Sequence, residues 1–165
     1  LTDVTGVQTC ALPISSATGG RPGTKAEPGS VRGWIARNGS LAVKDGALVV
    51  TADPNAPPNA RVFLACASMD LPGPVTVTMR IRANEGGKGV VSWRTKQQPD
   101  FVPANSAAFD WPAGPEWREV KVDLPVEGRL IHVRITPAKE TRGIEIRSIA
   151  IRGAQGKPQA WDFEE

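Results

Sequence analysis

The feature that most constrains this chain is an apolar period of two. Val75, Val77, Met79, Ile81 and Ala83 alternate with Thr76, Thr78, Arg80 and Arg82. Successive side chains of an extended backbone point to opposite sides, so this run makes a strand with one apolar and one wet face. Val120, Val122 and Leu124 alternate in the same way with Glu119, Lys121 and Asp123. Ile131, Val133 and Ile135 alternate with His132, Arg134 and Thr136, and Ile144 and Ile146 with Glu145 and Arg147. Beyond Arg147 the apolar side moves to Ile149 and Ile151, a change of phase that predicts a bulge near Arg147-Ser148. Further strands are expected at Trp34–Ala36, Ser40–Lys44, Ala47–Thr51, Arg61–Ala67, Val90–Thr95 and Ser106–Trp111.

Turn chemistry punctuates these runs. Asp45-Gly46 is the signature of a two-residue hairpin loop, and Asn38-Gly39 is a second such signal. Leu71-Pro72-Gly73-Pro74 and Asn84-Glu85-Gly86-Gly87 read as turns, and longer loops span Asp53–Asn59 and Gln97–Asn105. The 17 Gly and 15 Pro among 165 residues are too many for a helical bundle. A strand wetted on one face must bury the other against a second layer. Roughly nine or ten such strands therefore predict an all-β fold, a two-sheet antiparallel sandwich of jelly-roll or galactose-binding-like topology.

The sandwich is expected over residues 31–163. Ahead of it, residues 15–30 are dense in Gly, Pro, Ser and Thr and almost free of apolar side chains, which is the composition of a flexible linker. Residues 1–14 are set apart. Val4–Ile14 resembles the in-frame translation of a common short-read sequencing adapter. That segment is expected to be an artefact and is excluded from fold reasoning, Cys10 with it. On this reading the natural part is a fragment of a longer, metagenomic chain, and the linker implies a folded domain that once preceded it.

Catalytic templates fail on residue supply. The one histidine, His132, lies mid-strand on the polar face, where an exposed structural role is expected. A triad would need it in a pocket beside a nucleophile, and a single histidine cannot build a His-rich metal site. Asp53 and Asn55 could offer oxygen ligands to calcium, but without the spacing of a calcium loop no metal site is assigned. Gly86-Gly87-Lys88-Gly89 lacks the spacing of a phosphate loop. Cys66, in the apolar run Val62–Ala67, reads as a small buried hydrophobe. No cofactor is expected. Net charge is +3, spread over 20 basic and 17 acidic residues without a like-charge block, which argues against a nucleic-acid partner. No apolar run reaches the roughly 20 residues of a membrane-spanning helix.

Two features suggest a binding surface instead. Of the five tryptophans, Trp34 and Trp117 are expected in the core. Trp93 and Trp111 are the candidates for stacking on sugar rings, whose C–H faces complement an indole face. Arg80, Arg82, Arg134 and Arg147 occupy wet positions of predicted strands. If those strands are neighbours, the guanidiniums could clasp sulfate or carboxylate groups. The alternative for the arginines is an ordinary charged face shared with Glu119 and Glu145.

Several segments carry a resemblance. Trp34, Val43–Val50, Trp117–Pro125 and the tail Gly156–Phe163 resemble the C-terminal accessory β-sandwich of bacterial sulfatases of the arylsulfatase and N-sulfoglucosamine sulfohydrolase-like type. That resemblance implies a non-catalytic accessory module, periplasmic or secreted, that either positions a lost upstream catalytic domain or lightly contacts a sulfated polysaccharide, with a generic carbohydrate-binding module as an alternative. The Cys/Ser-x-Pro-x-Arg motif from which such enzymes make formylglycine is absent here, so no catalytic residue carries over. A broader similarity to carbohydrate-binding jelly rolls supports the same fold. A purely structural domain packed on its catalytic partner is the alternative role.

Overall fold

The computed structural model describes residues 30–164. The expected adapter segment, Cys10 and all but the last residue of the expected linker lie outside them. Among the described residues there are twelve strands: β1 Ile35–Arg37, β2 Gly39–Lys44, β3 Ala47–Ala52, β4 Phe63–Cys66, β5 Leu71–Pro72, β6 Val75–Ala83, β7 Gly87–Thr95, β8 Ser106–Trp111, β9 Gly114–Leu124, β10 Arg129–Thr136, β11 Ile144–Arg152 and β12 Gln159–Asp162. They form two six-stranded antiparallel sheets. Sheet I has the order β9-β6-β11-β3-β2, with β12 also on β11. Sheet II has the order β1-β4-β10-β7-β8, with β5 also on β10. The fold is the expected two-sheet sandwich.

Alternation sets the layers. Along β6 every odd-numbered residue from Val75 to Ala83 is buried, and along β7 Gly89, Val91, Trp93 and Thr95 are. These side chains meet between the sheets with Leu64, Leu130, Ile135, Ile146, Ile149 and Phe163. The thiol of Cys66 is buried and free, as expected of a small core hydrophobe.

The bulge expected near Arg147-Ser148 is present. The β11–β6 register shifts between Ile146 and Ser148. On its other edge β11 changes partner at the same place, pairing Ile144–Ile146 with β3 and Ser148–Ile151 with β12. A second bulge falls between Leu130 and His132. It puts Leu130 fully inside and leaves Ile131 half-buried, one place off the simple alternation.

The two Asn/Asp-Gly signals diverge. Asp45 and Gly46 both have positive φ (52° and 75°) and close the β2–β3 hairpin, with Lys44 opposite Ala47. Asn38 also has positive φ (59°), but the strands it joins belong to different sheets. The expected second hairpin is instead a crossover at the sandwich edge. A left-handed turn residue fixes a reversal of direction and does not choose the partner. Asn84–Gly86 is likewise a crossover, from β6 in sheet I to β7 in sheet II.

The start and end of the sandwich are tied together. Trp161 donates its indole N–H to the Arg32 carbonyl at 3.0 Å, and Arg32 donates to the Asp162 carbonyl at 2.5 Å. Trp161 also meets Trp34 edge-on, with 5.3 Å between centroids.

Candidate ligand-binding face

The predicted site residues separate into three places. Trp93 and Trp111 are core residues, 1% and 2% exposed. Trp93 has the parity of Val91 on β7, and Trp111 that of Phe109 on β8, so both indoles point between the sheets. Neither presents a face to solvent on which a sugar could stack. The core expectation holds for Trp34 but not for Trp117. Trp117 has the parity of Glu119, Lys121 and Asp123, and lies half-buried on the outer face of sheet I.

Arg80, Arg82 and Arg147 stand on that same outer face. The guanidiniums of Arg82 and Arg147 lie over the Trp117 ring, at 4.4 and 4.6 Å from its centroid. Each is also matched by a carboxylate. Arg82 pairs with Glu145 at 2.9 Å, and Arg147 with Glu164 at 3.5 Å. Arg80 is opposite Glu119 in the β9–β6 register. Positive charge on this face is therefore largely answered from within the protein.

Arg134 is on the other side of the molecule. It projects from β10 on the outer face of sheet II, so the four arginines are not brought together. Around it is a different cluster: Arg94 from β7, His132 from β10, Phe63 from β4, and Phe101 from the 96–105 loop. The Phe101 ring lies 3.7 Å from the Arg134 guanidinium carbon, and the Phe63 ring 4.8 Å from it. Cation–π contacts of this kind contribute ~0.5–2 kcal/mol, more as water is excluded. Arg94 stands opposite His132 in the β10–β7 register and donates Nε–H to His132 Nδ1 at 3.0 Å. It ties down the loop through a bond to the Pro99 carbonyl at 2.9 Å. Phe101 then packs edge-on against the imidazole, 5.0 Å between centroids.

Two consequences follow. Among the described residues no carboxylate pairs with Arg94 or Arg134; rings and a neutral imidazole take that role. His132 is half-buried, contrary to the exposed position expected for it, because Phe101 folds over it. Burial, then the positive charges of Arg94 and Arg134, hold its pKa down to about 4. The Arg134 guanidinium is also pushed down, by burial first and then by Arg94 and Arg37.

The histidine gives a pH prediction. An unfolded histidine takes up its proton near pH 6.5, the folded one near 4. Between these values the unfolded chain binds the extra proton, so stability is full above pH 6.5 and falls as pH drops toward 4. Thermal unfolding followed between pH 7 and 4.5 should show this loss. His132→Gln, which keeps an acceptor for Arg94, should flatten it. An equal slope in both proteins would assign the effect elsewhere.

Elsewhere, Asp53 accepts the Asn55 backbone N–H at 2.8 Å, so its carboxylate closes a turn. No cluster of three His, Cys, Asp or Glu converges among the described residues. A shallow hollow of about 470 Å³ at one end of the sandwich is lined by Asp70, Arg129, Lys157 and Gln159. Within it Asp70 accepts from Arg129 at 2.5 Å and from Lys96 at 3.0 Å.

No family model matches the chain, and no curated protein does. Among solved structures it is similar to BiXyn10A CBM1 in its apo form, at 16% identity and a TM-score of 0.52 over 71% of this chain and 82% of that one. It is similar to the K1 cleaved adhesin domain of Lys-gingipain from Porphyromonas gingivalis W83, at 14% identity and 0.52 over 78% and 95%. The CBM22-1–GH10 modules of Clostridium thermocellum xylanase 10B, complexed with xylohexaose, also match, at 14% identity and 0.52 over 76% of this chain and 27% of that one. At such identities the likeness establishes the jelly-roll-type sandwich and nothing finer.

Proposed function

We propose that this module is a non-catalytic accessory domain that binds glycan on the outer face of sheet II. The observation that carries the reading is the pair Arg94 and Arg134. Two guanidiniums that have no carboxylate partner among the described residues lie among Phe63 and Phe101 on a broad sheet surface. Aromatic rings offer a platform to the apolar face of a sugar, and unanswered guanidiniums suit a charged one. Support for a carbohydrate ligand comes from fold likeness: two of the similar structures named above are CBM modules, one of them complexed with xylohexaose. A sulfated polysaccharide is the finer ligand we propose, with a sulfatase catalytic domain as upstream partner in a periplasmic or secreted protein. That finer reading rests on the resemblance of Val43–Val50, Trp117–Pro125 and the tail. The upstream gene sequence from an uncontaminated assembly tests the parentage, and an upstream domain lacking the formylglycine motif would remove it.

Affinity electrophoresis of the full chain through gels containing neutral or sulfated polysaccharides tests the binding. Retardation is expected with at least one, and Phe101→Ala should reduce it severalfold in a chain that still unfolds in one cooperative transition, its midpoint lowered by a few degrees for the lost ring contacts. Free migration in every gel at low salt would sink the reading. The purely structural alternative needs a contiguous apolar patch to bury against a partner domain. Val43 is the one large hydrophobic exposed among the described residues, which favours the glycan reading.

A further inference from the structure

We propose that Arg94, His132 and Arg134 form a subsite for an oxyanion substituent of the bound glycan, a sulfate ester or a carboxylate; this assignment rests on the glycan-binding reading above. The case is an inventory of hydrogen-bonding capacity. A guanidinium has five N–H donors and no acceptor. Arg94 commits Nε–H to His132 Nδ1 and one Nη1–H to the Pro99 carbonyl, and keeps three donors. His132 has its accepting nitrogen occupied, which places the proton of the neutral imidazole on Nε2 and makes that nitrogen a donor as well. Arg134 donates to no described residue, and its Nε is buried without a partner.

Every group left over is therefore a donor. A sugar hydroxyl must both donate and accept, and such a subsite satisfies only half of it. A sulfate or carboxylate oxygen only accepts, and brings the missing negative charge. Stacking leaves room for it. A ring 3.7 Å from the guanidinium carbon covers the face of Arg134. The N–H bonds leave in the guanidinium plane, so Phe101 and an oxyanion do not compete for the same contact. An anion there would also relieve the repulsion between Arg94 and Arg134.

His132 makes the subsite directly observable, because it is the chain's one histidine and gives a single imidazole signal by NMR. The experiment titrates the full chain with three probes: κ-carrageenan oligosaccharides, the same oligosaccharides after desulfation, and alginate oligosaccharides. The sulfated or the uronate probe should bind at least tenfold more tightly than the desulfated one, and which of the two is tighter identifies the oxyanion. Arg94→Gln and Arg134→Gln should each remove about tenfold of that preference, with a single cooperative unfolding transition and well-dispersed NMR spectra showing that both fold. In the complex the His132 titration should move upward, because the bound anion offsets the charges of Arg94 and Arg134. Desulfated and anionic probes binding within twofold of each other would overturn the subsite and leave glycan binding standing. So would an unmoved His132 titration in a saturated anionic complex. Failure of all three probes to bind would remove the glycan reading, and the subsite with it.

Discussion

Trp93→Ala is expected to lower the unfolding free energy by about 3–5 kcal/mol, the cost of emptying a large aromatic site in a packed core. Trp93 is 1% exposed between the sheets. Truncating it removes the apolar area it buries, and its neighbours on rigid, paired strands can close the gap only in part. A domain of this size has ~5–15 kcal/mol of stability in total, so the loss is a large fraction. In urea denaturation the midpoint should fall by on the order of 2 M. The experiment also decides between two roles. A core tryptophan lowers stability first and binding only through it. If Trp93→Ala cost under ~1 kcal/mol and still abolished retardation in polysaccharide gels, Trp93 would be a ligand platform after all.

The second large effect is expected at Gly86→Ala. The Asn84–Gly86 crossover leaves sheet I against the segment Trp111–Ala113, which carries the chain back from β8 in sheet II to β9 in sheet I. A Cβ on Gly86 would collide with the Trp111 carbonyl oxygen and come within 3.0 Å of the Ala113 nitrogen. Both obstacles are backbone, so no side chain can swing away. The crossovers must separate, at a cost of about 3 kcal/mol, the upper end for overpacking. Gly114→Ala is the control for a glycine with open space, since nothing lies within 4 Å of its Cβ position, although its φ of 122° adds backbone strain. Equal stability of Gly86→Ala and the parent chain would show that the corner yields.

Most of the fold was legible because alternation is a local signal with a direct geometric meaning. The phase change at Arg147 located a bulge, and Asp45-Gly46 located a hairpin. Asn38-Gly39 carries the same local signal as a hairpin, because a turn residue is blind to which sheet comes next. Leu71–Pro72 and Gln159–Asp162 carry no strand signal. The first is two residues long and looks like a turn, and the second has one core-directed residue too few to alternate. For the tryptophans the information was present: parity aligns Trp93 with Val91 and Trp117 with Glu119 and Lys121. Residue type alone sends Trp117 inward and offers Trp93 to the surface, and parity reverses both. The candidate site was only partly legible. Arg134 and His132 follow from the alternation of β10, and Arg94 is its neighbour across the ladder. Phe101 comes from an aperiodic loop, and no pattern in the sequence aims it at Arg134. Nor could sequence show that Arg82 and Arg147 have carboxylate partners while, among the described residues, Arg94 and Arg134 do not.

The bond from Trp161 to Arg32 has an architectural consequence. Where the polypeptide comes in and where it leaves are the same corner, stitched by two hydrogen bonds and an edge-on indole pair. A module of that shape behaves as a plug-in cassette. It can be spliced into a loop of a host protein as readily as appended to it, because the host needs to supply only two closely spaced attachment points.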